Sequence, residues 1–120
     1  LIGFVEEDEL PLYYSACDVY VSSSIVDSAG NREGFGMTVL EAMACGTPVV
    51  ITDAGAPKEF VQDGVTGLVA RERDPDDLAE KILLYCEDLD LRFSVSARAA
   101  PSIRMLTWDC IARSTIEALG

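Results

Sequence analysis

The chain has 120 residues, of which 49% are hydrophobic, with 21 acids against 9 bases for a formal net charge of −12. That length suits one modest domain, and a chain of this size buries roughly 65% of its unfolded surface. The acidic balance argues against nucleic acid, whose phosphates need a basic footprint, and against a polybasic membrane patch. The acids are dispersed and read as a solvated surface.

Cys17, Cys45, Cys86 and Cys110 show no C-x-x-C pair, and there is no histidine. A zinc site and Ser-His-Asp or Cys-His catalysis are therefore not expected. The apolar contexts of the cysteines predict small, buried, reduced thiols, which suits the cytoplasm. No apolar run approaches the ~20 residues of a membrane span, and no signal peptide pattern is present.

In chain order, Leu1 to Val5 reads as a strand, and a chain that opens inside a strand reads as a piece of a longer protein. Asp8 is placed to cap a helix carrying Leu10, Leu12, Tyr13 and Ala16. Asp18 to Ser22 is a short buried strand, and Ser23 to Gly34 a polar loop in which Asp27, Ser28 and Asn31 look like ordinary loop residues. A helix is predicted from about Gly36 to Cys45, with Val39, Leu40, Ala42 and Met43 as its apolar stripe, stopped by Gly46. Pro48 to Ile51 is a buried strand. Pro57 to Val61 is a short helix with proline in its first turn, in which Glu59 complements the dipole. Turns at Asp63-Gly64 and Thr66-Gly67 flank a last strand, Gly67 to Ala70. Asp74-Pro75-Asp76-Asp77 starts a helix with Leu78, Ala79, Ile82, Leu83 and Cys86 at helical spacing. A second helix covers about Leu91 to Ala99 and is expected to stop before Pro101. A third begins near Thr107 with Trp108 as a core anchor.

About four strands linked by helices mark an α/β domain with a Rossmann-like parallel sheet. In such sheets ligands bind beyond the carboxyl ends of the strands. The loops after Ser22 and Thr52 lie at that edge.

The chemistry concentrates in Glu33 to Val50. Gly34 and Gly36 let the backbone turn tightly and approach a ligand. The helix that follows leaves its first amides, near Gly36, Met37 and Thr38, without internal partners. Those amides and the helix dipole suit a phosphate or diphosphate. Glu33 lies just before this loop and Glu41 about one turn into the helix. Carboxylates accept hydrogen bonds from sugar hydroxyls. An anion site between two such acceptors suits a sugar joined to a nucleotide by a diphosphate.

The segment resembles the E-x7-E signature of retaining GT-B glycosyltransferases, the broad family called glycosyl transferases group 1. Glu33 and Glu41 have the required spacing, and Gly-Phe-Gly (34–36), Leu-Glu-Ala-Met-Ala (40–44) and Gly-Thr-Pro-Val-Val (46–50) also match. The likeness continues through Gly3-Phe4-Val5, Asp18-Val19, Gly55-Ala56-Pro57-Lys58-Glu59 and Thr107-Trp108, and so covers nearly the whole chain. It implies that residues 1–120 are part of the carboxyl-terminal donor domain, with the amino-terminal acceptor domain absent. It implies that Glu33 contacts donor-sugar hydroxyls, that the amides of Gly34, Phe35, Gly36, Met37 and Thr38 hold the diphosphate or sugar, and that Glu41 holds the ribose. The segment around Phe4 and Val5 would lie near the base. No metal or other cofactor is implied, and oligomeric state is open. Peripheral membrane association would depend on the absent domain.

The family's Arg and Lys for the diphosphate have no counterpart in residues 1–31, which contain neither. Weak donor binding and no transfer are expected of this chain by itself. Two alternatives stay open at this point. One is a nucleotide-sugar epimerase or phosphorylase of the same fold, disfavoured by the lack of histidine and of a suitable lysine. The other is a non-catalytic binding or scaffold domain, disfavoured by the intact pair of glutamates.

Overall fold

A computed structural model describes residues 2–31, 36–106, 113 and 116–118. Among these, helices α1 (Leu10–Ala16), α2 (Met37–Ala44), α3 (Pro75–Glu87) and α4 (Leu89–Ser102) surround strands β1 (Tyr20–Ser22), β2 (Val49–Thr52) and β3 (Leu68–Ala70). The three strands form one sheet in the order β1-β2-β3, both pairings parallel. Tyr20 stands opposite Val49, and Val50 opposite Leu68.

The central strand explains the layering. All four residues of β2 are buried, as expected where helices cover both faces of a parallel sheet. Val49 and Ile51 join Val39, Ala42 and Met43 of α2 on one side. Val50 joins Leu68, Tyr85 and Val95 on the other. This is the alternation of a strand read on two faces. Gly67 lets these layers close: a methyl group there would meet Val61 Cγ1 at 2.5 Å and Val49 Cγ2 at 2.8 Å.

Helix α2 has the predicted stripe, with Val39, Ala42 and Met43 buried. It ends as predicted at Gly46, whose φ is +76°. The Gly46 amide donates to Met43 O and the Thr47 amide to Ala42 O, the paired bonds of a Schellman stop. Helix α3 begins as the Asp-Pro-Asp-Asp sequence predicts: Asp74 Oδ1 accepts from the Asp77 amide at 3.0 Å.

Several expectations are corrected. Residues 2–5 form no strand, and Ile2 and Phe4 are exposed. A strand exists only by pairing, and no described strand lies beside this segment. The described sheet therefore has three strands, not four, and β1, at its edge, is half-buried with Val21 exposed rather than buried as expected. The capping position of α1 is Glu9, not Asp8, and no side chain caps it. The inward residues of α3 are Leu78, Ile82 and Tyr85, whereas Leu83 is 55% exposed and Ala79 and Cys86 face outward. The large, fully buried Tyr85 anchors the helix and turns its stripe by one residue. Helix α4 starts at Leu89 and runs through Pro101. The proline falls in the final turn, so the helical bond that it cannot make is one of the last, and a 3-10 turn (Arg104–Leu106) follows.

The buried-thiol expectation also fails: Cys17 and Cys86 are exposed, Cys45 is half-buried, and all three are free. Cys17 follows a helix with no buried residue, and Cys86 sits beside the residue that takes the core position. Cys110 and Trp108 lie outside the described residues, as does most of the predicted third helix, of which Arg113 and residues 116–118 are helical.

Candidate functional site: the amino end of α2

The site is built on the first turn of α2, at the carboxyl edge of the sheet. Gly36 occupies the capping position with φ +75° and ψ 42°, the left-handed region open to glycine at little cost. Added carbon is excluded for a second reason: a Cβ there would lie 2.6 Å from Pro57 Cγ. Gly36 thus sits directly against Pro57 of the 3-10 turn Ala56–Glu59. Gly36 O accepts from Val39 at 3.0 Å and from Leu40 at 3.3 Å. The amides of Met37 and Thr38 have no partner among the described residues, and they carry the positive end of the helix dipole.

Thr38 and Glu41 are three residues apart, so they share one face of α2. Each is met by a tyrosine. Tyr14 of α1 donates its phenol proton to Glu41 Oε2 at 2.9 Å. Tyr20 of β1 donates to Thr38 Oγ1 at 2.8 Å. The two rings touch edge to face, with centroids 5.7 Å apart and planes at 67°. Thr47, just past α2, donates to Tyr14 O at 2.7 Å. Burial, then the hydrogen bond and charge of Glu41, push the Tyr14 phenol well above its ordinary range. It therefore stays protonated and remains a donor. A groove of about 470 Å³ runs between α1 and α2, lined by Glu7, Leu10, Pro11, Tyr14, Glu41 and Cys45.

The polar loop after β1 is fastened to the same sheet edge. Thr52 Oγ1 donates to Ser24 O, the Val26 amide donates to Glu72 Oε1 at 2.8 Å, and Arg73 donates to Val26 O. Asp27, read from sequence as an ordinary loop residue, organises the loop tip. Its carboxylate accepts from the amides of Ala29 and Asn31 and from Asn31 Nδ2, each at 2.8 Å. The side-chain bond from Asn31, then that from its amide, hold the Asp27 carboxyl below the usual carboxylate range.

Of the residues singled out from sequence, Gly36, Met37, Thr38 and Glu41 come together on one helix end. Glu33, Gly34 and Phe35 lie outside the described residues. Sequence reading missed Tyr14, Tyr20 and the Pro57 contact. A signal existed for the first two: half-buried tyrosines need a partner for the hydroxyl. Glu59 is exposed. Among the described residues no helix is long and apolar enough to cross a membrane.

A parallel α/β sheet with a helix start at its carboxyl edge and a carboxylate one turn further on has the make-up of a site for an anion beside a hydroxylated group. Comparison with known proteins gives the family. Residues 1–100 match the model for glycosyl transferases group 1. The chain is 34% identical over 117 residues to the O-antigen chain mannosyltransferase B of Escherichia coli, covering 98% of itself and 29% of that protein. Among solved structures, Anabaena HepE in complex with UDP and glucose superposes with a TM-score of 0.81 at 28% identity, over 98% of this chain and 30% of that one. The carboxyl-terminal domain of the group 1 glycosyltransferase LpcC from Francisella tularensis superposes with a TM-score of 0.70 at 31% identity, over 85% of this chain and 50% of that domain. The chain belongs to the group 1 glycosyltransferases, and its fold is part of the carboxyl-terminal domain of the GT-B type. It spans less than a third of the length of the curated relatives it matches.

Proposed function

We propose that this chain is the donor-binding part of a retaining glycosyltransferase that moves a sugar from a nucleotide diphosphate sugar to an acceptor hydroxyl. The observation that carries the reading is the geometry of α2. Two amides at its start that have no partner among the described residues, and the carboxylate of Glu41 on the same helix, suit a diphosphate next to a ribose. The UDP bound by the structural relative HepE supports a nucleotide as the ligand.

In this reading the amides that follow Gly36 stabilise the charge of the departing diphosphate, an electrostatic contribution in place before reaction. Glu41 takes the ribose hydroxyls. Glu33 is assigned the donor-sugar hydroxyls on the strength of the E-x7-E spacing, and its contribution is orientation rather than covalent attack. The diphosphate leaves on the face where the acceptor enters and assists removal of the acceptor proton, so the anomeric configuration is kept. The acceptor is held by a domain outside residues 1–120, and no metal is assigned. This chain by itself is expected to bind donors weakly and not to turn them over.

The test is an amide NMR titration with millimolar UDP-, GDP- and ADP-sugars. Shifts clustered at residues 35–41, lost in Glu41→Ala, are expected with one of the three bases. Shifts scattered over the surface, or clustered shifts indifferent to Glu41→Ala, would refute the reading.

A further inference from the structure

Glu41 and Thr38 are placed by something other than their own helix. A glutamate on a helix surface has freely rotating torsions, and holding it in one rotamer costs side-chain entropy. Here one carboxylate oxygen already accepts the Tyr14 proton, so part of that freedom is removed before any ligand arrives. The remaining lone pairs of Glu41 are left for other donors, in a groove that opens between α1 and α2. Thr38 shows the same logic. A hydroxyl has one proton to give and two lone pairs to receive with. Tyr20 occupies one lone pair, which leaves the Thr38 proton to be donated elsewhere, beside the amides of Met37 and Thr38, which have no partner among the described residues.

The phenol hydroxyls are not what holds the rings. Tyr14 is tethered through its carbonyl by Thr47, Tyr14 and Tyr20 pack on each other, and both pack against the core cluster of Val39, Ala42 and Met43. Tyr20 is also held by β1, its amide donating to Pro48 O at 2.9 Å. Two rings fixed by packing therefore aim two hydroxyls at two residues on one face of α2.

Resting on the donor-site reading above, we infer that Tyr14 and Tyr20 form an aromatic bracket in which Tyr14 positions Glu41 for the ribose and Tyr20 positions Thr38 for the diphosphate. They are positioning residues, and they divide the nucleotide between them. Removing either hydroxyl leaves the ring, and hence the packing, in place. The persistently protonated state of Tyr14 suits a permanent donor.

The experiment measures binding of UDP, GDP and ADP to this chain by amide NMR, then repeats it with the 2′,3′-dideoxy form of whichever binds. Tyr14→Phe is expected to weaken the ribonucleotide roughly five- to tenfold, the size of one ordinary net hydrogen bond, because the Tyr14 bond acts on the ligand only through Glu41. That loss should vanish with the dideoxy nucleotide and in a Glu41→Gln background. Tyr20→Phe is expected to weaken both nucleotides about equally. A structural role alone would give equal losses with both ligands for both variants, together with a lowered melting temperature, and would overturn the inference. If Glu41→Gln weakens the ribonucleotide but Tyr14→Phe does not, the bracket is wrong and the donor site survives. If Glu41→Gln has no effect, or the chain binds none of the three nucleotides, the donor-site reading fails and takes the bracket with it. A separate, ligand-free check is the Tyr14 phenol titration: it should move down toward its ordinary value in Glu41→Gln, and an unchanged value would mean that the Tyr14–Glu41 bond does not form.

Discussion

At the level of single residues, Gly36 joins fold and site. Its left-handed backbone would cost an alanine roughly 1–2 kcal/mol, and the new methyl would press on the rigid ring of Pro57 at 2.6 Å. Proline cannot rotate away, so relief requires the 3-10 turn or the helix start to move. Gly36→Ala is expected to lower stability by about 2–4 kcal/mol, as overpacking adds to strain. It should also displace the Met37 and Thr38 amides. Chemical denaturation of the variant beside the parent chain checks the first effect. An unchanged midpoint would mean that Pro57 yields. The glycine and Glu41 could be found from sequence because glycines before a helix, and an acid one turn in, form a local pattern. The tyrosine partners could not be located that way, because Tyr14 and Glu41 are 27 positions apart. The cysteines mislead for a related reason: an apolar neighbour such as Tyr85 suggests burial, but adjacent residues on a helix point about 100° apart.

At the level of elements, ends that carry their own chemistry were legible and ends set by packing were not. Asp74 caps α3 with its own carboxylate. Asp77, three residues on, accepts from the Arg71 amide at 2.6 Å. That bond, ahead of the attraction of the Arg71 charge, keeps the Asp77 carboxyl below the usual range. Asp74→Ala should therefore cost about 1 kcal/mol, which for a chain of this size is a drop of about 4 °C in melting temperature. Thermal unfolding followed by circular dichroism measures it, and a shift below one degree would show that Asp77 and Pro75 start the helix without the cap. The Leu1–Val5 strand failed for a different reason. Its short apolar run suits a strand, whereas a strand also needs a neighbour to bond with, and neighbours are set by topology. The rotated stripe of α3 and the passage of α4 through Pro101 are likewise tertiary outcomes, decided by where Tyr85, Val95 and Ala99 are buried.

For the whole molecule the leading fact is charge. The described ion pairs use few of the 21 acids, and each has at least one well-exposed partner: Lys58–Asp53, Arg71 with Asp74 and Asp77, Arg73–Glu72 and Arg92–Asp18. Exposed pairs contribute at most about 1 kcal/mol each. Repulsion among the surplus acids acts over a Debye length of about 10 Å at 0.1 M salt, which is comparable with the 15.2 Å radius of gyration of the chain. Repulsion should therefore outweigh the pairs, and screening it should stabilise the fold. The melting temperature is expected to rise by several degrees between low salt and about 0.5 M sodium chloride, where the Debye length is a few ångströms. A melting temperature that falls over that range would mean that the few ion pairs, and not the excess of acids, dominate the electrostatics of this domain. The same field opposes a diphosphate at the start of α2, so nucleotide binding should weaken less with added salt than at a basic phosphate site. The local amides then have to supply attraction that the rest of the surface does not.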